Sequence, residues 1–335
     1  MHASRKEVMD HLEPSLAEDI PKLTLDPEAC WQPADYLPDL RTEEGFEAVK
    51  ELREEAAALS DDVLVTLIGD MITEEALPSY SSWIAVMDGV DRMGVPRNNW
   101  GEWNRRWSSE ENRHGDLLNK WLYLSGRVNM REVEVTIQHL IGDGGEIGVE
   151  SDPYRTFVYT SFQEIATRIS HLNVGLMARK AGAERLYKLC SRVAGDEHRH
   201  ARAYKLFFSR ILEVDTDEAV LALQDMMKKR ITMPAVFMRE RGAERGSTFD
   251  KFHAVAERTG IYTAHDYIHI VEDLVGDWNI GKLTGLSPAA AKAQDYLCNL
   301  GARYRRVVDR YGQKADNTLY GFTWLQDAQA AEPLA

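Results

Sequence analysis

Apolar residues recur at intervals of three and four along most of this chain, the spacing that lines one face of an α-helix. Strict alternation, the mark of a half-buried strand, is short wherever it occurs. The pattern predicts a helix over Glu43 to Leu59, rich in Glu, Ala, Leu and Lys. Ser60-Asp61-Asp62 reads as the cap of a second helix, which runs through an apolar stretch from Val63 to Ile68 and on to Glu74. A long helix is expected from Ser108 to Leu124, stopped by Gly126, and another from Arg131 to Ile141. After the Gly-rich break Gly142 to Gly148, Pro153 opens a helix through Glu164 to Lys180, and Ala183 to Leu212 supplies the next. Asp217 to Lys229, Thr248 to Arg258, Thr263 to Val275 and Ser287 to Tyr311 complete the set. Residues 1–40, punctuated by Pro14, Pro21, Pro27, Pro33 and Pro38, read as an irregular leader with short helical pieces. The expectation is an all-α protein: one helical domain over 41–325 with four long helices at its centre, and a tail over 326–335.

Composition narrows the class without naming a function. A chain of 335 residues, 44% hydrophobic and 28% charged, buries a sizeable core and has the balance of a soluble globular protein. No run of about 18 apolar residues predicts a membrane span. The segment Met1 to Glu13 is charged, lacks an apolar stretch and is not Arg- and Ser-rich, so neither a secretory nor a transit peptide is expected in it. Cys30, Cys190 and Cys298 are far apart and form no CxxC pair, which points to buried free thiols in a reducing compartment. A net charge of −14 disfavours nonspecific nucleic-acid binding and anionic membrane surfaces.

Two Glu-x-x-His pairs, Glu111/His114 and Glu197/His200, change the picture. At i and i+3 both side chains of a pair lie on one helical face and converge on one ion. Taken singly the pairs are weak, because roughly one such pair arises by chance in a chain of ordinary composition. The repeat carries the weight. Glu74 lies 37 residues before Glu111 and Glu164 lies 33 before Glu197, each inside a strongly apolar helix. Helix with Glu, helix with Glu-x-x-His, then the same again, is the ligand order of di-iron and di-manganese carboxylate bundles. Four carboxylates offset the charge of two divalent ions, and oxygen and nitrogen donors without thiolate suit iron or manganese. Asp196, next to Glu197, is a candidate to fix a ligating histidine, and Trp107 lies one turn before Glu111.

Around these residues the stretches Gly69-Asp70-Met71-Ile72-Thr73-Glu74-Glu75-Ala76-Leu77-Pro78, Glu110-Glu111-Asn112-Arg113-His114-Gly115-Asp116-Leu117-Leu118 and Tyr159-Thr160-Ser161-Phe162-Gln163-Glu164 closely resemble the soluble plant-type acyl-ACP desaturases. So do Cys30-Trp31-Gln32-Pro33 and Lys282-Leu283-Thr284-Gly285-Leu286-Ser287. The resemblance runs from about Cys30 to Trp324. It implies a ferritin-like di-iron bundle, a homodimer, that uses O2 and two electrons from ferredoxin. Such an enzyme places a cis double bond, Δ9 in many members, in a C16 or C18 acyl chain held on acyl carrier protein. The implied iron ligands are Glu74, Glu111, His114, Glu164, Glu197 and His200. Thr167, three residues after Glu164, becomes a group facing the oxygen chemistry, against the ordinary role of a helix threonine bonding its own backbone. Trp31, Asp196 and His114 become a path for electrons. Relatives in plants and algae work in the plastid stroma, and a bacterial member would be cytoplasmic.

By the same resemblance Trp83, Val86, Met87, Thr156 and Phe249 form the closed end of the acyl pocket. Trp83 and Thr156 are bulkier than the residues common there, which predicts a shift from stearoyl towards palmitoyl. On one ideal helix Trp83 would lie nearly opposite Glu74, unless Pro78 resets the phase. Acidic carriers need local basic surface, and Lys228-Lys229-Arg230, Arg303-Arg305-Arg306 and Lys50/Arg53 are the candidates, although a charge run is usually a solvated face. Two other readings remain at this point. A ribonucleotide-reductase radical subunit would use a tyrosine by the metal and usually an aspartate ligand. A ferritin is about half this length and leaves the helices after residue 215 unexplained.

Overall fold

The computed structural model describes residues 3–85, 98–311 and 318–325. Within them the chain forms fourteen α-helices: α1 Ala3–Leu12, α2 Leu16–Leu23, α3 Glu43–Ala57, α4 Asp61–Glu75, α5 Leu77–Ala85, α6 Asn99–Ser125, α7 Met130–Asp143, α8 Pro153–Lys180, α9 Glu184–Val214, α10 Thr216–Lys229, α11 Ser247–Thr259, α12 Ala264–Asp277, α13 Pro288–Cys298 and α14 Leu300–Tyr311. No strand occurs among the described residues, only an isolated bridge between Val128 and Leu325. None of these helices is long and apolar enough to cross a membrane.

Local chemistry explains many of the boundaries. Ser60 caps α4 by accepting from the Val63 N–H, and Thr42 caps α3 by accepting from Gly45. Asp152 accepts from the Tyr154 N–H at the start of α8, with Pro153 at its first position. Gly126 ends α6 in the left-handed region at φ 68°. Helix α6 begins nine residues before the expected Ser108, because Asn98 caps it and Trp100, Trp103 and Trp107 are buried along it. Tertiary packing there overrides a stretch poor in strong helix formers. The single helix expected over Ser287 to Tyr311 is two, parted at Asn299. The Pro-rich leader supplies α1 and α2, and Met9, Leu16 and Ile20 are buried against the bundle. The tail over 326–335 lies outside the described residues. All three cysteines are free, but only Cys190 is buried; Cys30 is half-buried and Cys298 exposed, which corrects the expectation of buried thiols.

At the centre, α4, α6, α8 and α9 pack together as a ferritin-like bundle. Helix α8 is enclosed on nearly every side through its first half, so its sequence shows little amphipathic contrast. The apolar core divides in two. One cluster gathers Trp100, Trp103, Phe157, Tyr204 and Phe207; the other gathers Leu64 to Ile72, Leu117 to Leu122 and Val193. The Glu-x-x-His residues sit at the waist between them. Helix α11 closes onto α4 at Gly69, where a Cβ would stand 2.1 Å from the Phe252 ring, so that approach requires glycine.

Candidate metal centre

Each of the four central helices brings its carboxylate to the waist: Glu74 on α4, Glu111 with His114 on α6, Glu164 on α8, and Glu197 with His200 on α9. Two overlapping sets result. Glu74, Glu111, His114 and Glu197 form one, and Glu111, Glu164, Glu197 and His200 the other. Within each set the four donor atoms all lie within 4.8 Å of one another, and every residue is buried. Glu111 and Glu197 belong to both sets, the geometry of shared carboxylates between two ions.

The histidines point their Nδ1 atoms inward. His114 Nδ1 lies 3.1 Å from both Glu111 Oε2 and Glu197 Oε1 and 3.8 Å from Glu74 Oε2. His200 Nδ1 lies 2.5 Å from Glu111 Oε1 and 3.5 Å from Glu164 Oε2. The outward nitrogens find acids on the opposite helix of the pair. His114 Nε2 faces Asp196 Oδ2 at 3.5 Å, and His200 Nε2 faces Glu110 Oε2 at 2.8 Å. Each motif is therefore acid-Glu-x-x-His, and its leading acid serves the other motif's histidine, the arrangement that fixes a ligand's tautomer. Asp196 is thus a partner of His114 on α6. Glu110 was missed in the sequence, although the repeated acid before Glu-x-x-His would have revealed it.

The donor set fits a pair of divalent ions. Glu111 Oε1, Glu164 Oε2, Glu197 Oε1 and His200 Nδ1 are buried without a hydrogen-bond partner despite their mutual proximity. Each orphaned polar atom would cost about 1–3 kcal/mol if nothing else met it. Burial, together with the Glu111 and Glu197 charges, pushes the Glu164 carboxyl well above its ordinary range. Against their own burial, both histidines are raised by Glu111 foremost among their neighbours. Such crowding of acids is what bound cations relieve.

A ring of donors holds the carboxylates. Trp107 Nε1 donates to Glu164 Oε1 at 3.1 Å, across the bundle rather than to Glu111. Thr167 Oγ1 lies 2.6 Å from Glu197 Oε2 and also within reach of the Glu164 and Gln163 carbonyls, so its single proton has three alternatives. His171 Nε2 lies 2.9 Å from Glu74 Oε1, a partner the sequence reading missed although His171 stands two turns after Glu164. On the outer side Trp31 Nε1 donates to Asp196 Oδ2 at 2.9 Å, and its ring stacks on His114 with planes 2° apart and centroids 6.2 Å apart. Arg113 donates to the same Asp196 oxygen and to the Trp31 carbonyl, and Arg199 donates to Asp196 Oδ1. Despite its burial, the bond to His114 and that ring's charge, followed by Arg199, hold Asp196 well below the usual carboxylate range.

Adjoining cavities run past the cluster. One, beside Thr73 and Thr167, borders Glu74, Glu111 and Glu164. It shares Tyr80, Trp107 and Gln163 with an apolar cavity whose walls include Ile84, Ile147, Thr156 and Tyr159. On the other side it shares Thr73 and Thr167 with a cavity lined by Met233, Phe249 and Tyr262. These three residues also line a larger cavity between α12 and α14, beside exposed Val307. Thr156 and Phe249 therefore line different cavities. Phe249 sits on α11, and the docking of α11 on α4 sets which cavities it lines. Thr156 bonds the Asp152 carbonyl, so its methyl rather than its hydroxyl supplies wall. Ile147, on the loop between α7 and α8, was missed because loop residues carry no periodicity. Val86, Met87 and the Trp83 side chain lie outside the described residues. Helix α4 ends at Glu75 and α5 starts afresh at Leu77, so Glu74 and Trp83 do not share one helical phase.

The family model for fatty acid desaturases matches residues 4–326. Stearoyl-[acyl-carrier-protein] 9-desaturase, chloroplastic, of Gossypium hirsutum is 50% identical over 305 residues, covering 90% of this chain and 76% of the relative. The Ricinus communis protein of that name is 50% identical over 304 residues with the same coverage. Stearoyl-[acyl-carrier-protein] 9-desaturase 5 of Oryza sativa subsp. japonica is 45% identical over 325 residues, 96% of this chain and 83% of the relative. The X-ray structure of DesA2 from Mycobacterium tuberculosis H37Rv aligns at a TM-score of 0.53 with 17% identity, over 86% of this chain and 99% of that one, a likeness of fold.

Proposed function

Because the chain belongs to the fatty acid desaturase family, we propose that it is an acyl-[acyl-carrier-protein] desaturase that places a cis double bond, at Δ9, in a saturated C16 or C18 chain. Two iron ions would form its cofactor, carboxylate-bridged in the manner of the family, held by Glu74, Glu111, His114, Glu164, Glu197 and His200, of which Glu111 and Glu197 are common to both donor sets. O2 is the oxidant and ferredoxin the electron donor. The enzyme works as a homodimer in the plastid stroma, in keeping with the chloroplastic relatives, with the bacterial cytoplasm as the alternative. The observation that carries this reading is the buried Glu/His cluster beside a small cavity that adjoins apolar ones.

When bound, the iron pair supplies from O2 and two electrons the oxidising power to strip hydrogen from unactivated methylenes, which no acid–base side chain has. The protein's own residues position and seclude. The walls around Tyr80, Thr73 and Thr167 hold an extended chain against the cluster and keep water out. Thr167 offers a hydroxyl at Glu197, in the cavity that borders the cluster, where it would face the oxygen chemistry. Trp31, Asp196 and His114 link the surface to the centre by one hydrogen bond and one close contact.

The two acidic partners meet different faces. Lys188, Arg192 and Arg202 are exposed on one stripe along α9, and the Arg192 guanidinium lies 5.9 Å over the Trp31 ring. Partial burial, with Arg168, Arg202 and Lys205, lowers the affinity of His198 for a proton, a mark of local positive potential on an acidic protein. Ferredoxin docks here. Arg192→Glu is expected to slow electron delivery about tenfold at low salt, with the deficit shrinking as ionic strength rises. Stopped-flow reduction at two salt concentrations reads it, and an unchanged rate would move the docking face elsewhere. The carrier protein docks where Lys228 and Arg303 flank the Tyr296 ring and Arg230 lines the cavity beside α14. Lys229, Arg305 and Lys50 are instead paired with Glu150 and Asp225, with Glu272 and with Glu47, and Arg53 bonds the Leu124 carbonyl.

Bulk at the far end favours palmitoyl over stearoyl. Ile147→Ala is expected to raise the stearoyl-to-palmitoyl ratio of kcat/KM roughly 5- to 150-fold, since a methylene of room changes discrimination by about 1–3 kcal/mol. A ratio left unchanged would remove Ile147 from the pocket's end. Turnover of both acyl carriers with ferredoxin, its reductase and O2 tests the whole reading; iron mineral formation without acyl turnover would replace it with storage.

A further inference from the structure

The two halves of the centre are matched in their inner donors and differ in what holds the outer carboxylates. Glu164 is held by the Trp107 indole, a neutral group that only donates. Glu74 is held by His171, whose Nε2 lies 2.9 Å from Oε1, while the other Glu74 oxygen faces His114. His171 belongs to neither donor set, yet it is 99% enclosed, with 1% of its surface exposed. Its neighbour Ser170 donates to Asp70, with both carboxylate oxygens at 2.9 Å, and Asp70 Oδ2 lies 3.8 Å from His171 Nδ1. Ser170 and His171 are consecutive on α8, and Asp70 and Glu74 are one turn apart on α4. Two adjacent side chains of one helix thus clasp two stacked carboxylates of the other.

We propose that His171, steadied by Asp70, is the positioning residue of the Glu74–His114 half of the centre, so that the two halves take up metal by separable means. This rests on the reading of the centre as a two-metal site. The physical reason is that Glu74 lies at the end of α4, where the backbone breaks before Pro78 and no longer orders the side chain's approach. A hydrogen bond to one oxygen, anchored through a second helix, turns the other towards His114. Loss of such an outer partner lowers metal affinity about 10- to 100-fold.

Cobalt(II) titration of the metal-free full-length chain, read by visible absorption and by the paramagnetically shifted ring signals of His114 and His200, follows the halves separately. His171→Phe is expected to weaken uptake of one equivalent about 10- to 100-fold, with the His114 signals lost and the His200 signals kept. His171→Gln returns an N–H donor and is expected to recover affinity to within a few-fold. Trp107→Phe is expected to give the mirror result at His200. Undiminished uptake of both equivalents by His171→Phe, or equal weakening at both histidines, would overturn the proposal. Should the Phe variant not fold, Asp70→Asn decides: selective weakening at His114 supports the clasp and an unchanged titration overturns it. If the unsubstituted chain takes up no more than one cobalt ion, the two-metal reading itself fails, and this proposal with it.

Discussion

Glu111→Ala and Glu197→Ala are each expected to remove both metal ions, whereas Glu74→Ala and Glu164→Ala remove one first and the second only at higher chelator concentration. The difference follows from the donor sets: Glu111 and Glu197 are common to both, and Glu74 and Glu164 each belong to one. Deleting a shared carboxylate leaves both ions short of a ligand and of a counter-charge in a site sealed from water. Turnover in either shared-residue variant is expected to fall at least about a thousandfold, roughly 4 kcal/mol at 1.36 kcal/mol per tenfold. Metal analysis after dialysis against a chelator series, alongside circular dichroism, separates ligand loss from unfolding. Retention of one full equivalent by Glu111→Ala would show that this carboxylate is not shared.

A second substitution is expected to act with opposite signs on stability and on metal binding. In the metal-free protein Glu164 is buried beside Glu111 and Glu197, and its charged form is disfavoured. Glu164→Gln removes that charge and keeps the oxygen that accepts from Trp107, so the metal-free variant is expected to gain about 1–3 kcal/mol, a few degrees in Tm. The sign with pH follows. A carboxyl with its folded affinity for protons raised destabilises above the ordinary Glu range, so the advantage of the variant should grow from pH 4 to pH 7. With metal present the order reverses, since the wild-type protein gains binding energy that the amide cannot supply. Paired melting curves with and without metal read both signs; a metal-free variant less stable than wild type at pH 7 would mean that the cluster is not strained by its acids.

How far the site was legible in the chain depended on how local each feature is. The pairs Glu111/His114 and Glu197/His200 are properties of one helical turn, so spacing alone puts their side chains on one face. Cap residues such as Ser60 and stops such as Gly126 are equally local, and the boundaries of α4 and the end of α6 follow from them. The start of α6 did not, because the buried faces of Trp100 and Trp103 are credited only once α9 and α1 are in place.

Pairings between helices were a different matter. Asp196 was noticed as an acid beside a ligand, but its partner, His114, stands 82 residues away on α6. Glu110 bonds a histidine 90 residues away, and His171 a carboxylate 97 residues away. Placing Thr156 and Phe249 in different cavities likewise depended on where α11 docks.

By itself, then, the sequence determined an all-α chain with four carboxylates and two histidines in a repeated order, because helical phase is set by neighbours within a turn or two. Only the tertiary structure decided that Glu111 and Glu197 are common to both donor sets, that each motif's leading acid serves the other's histidine, and that the cavity at the centre adjoins apolar ones. Those depend on the relative rotation and register of packed helices, which arise from the whole core at once and leave no periodicity in any single segment.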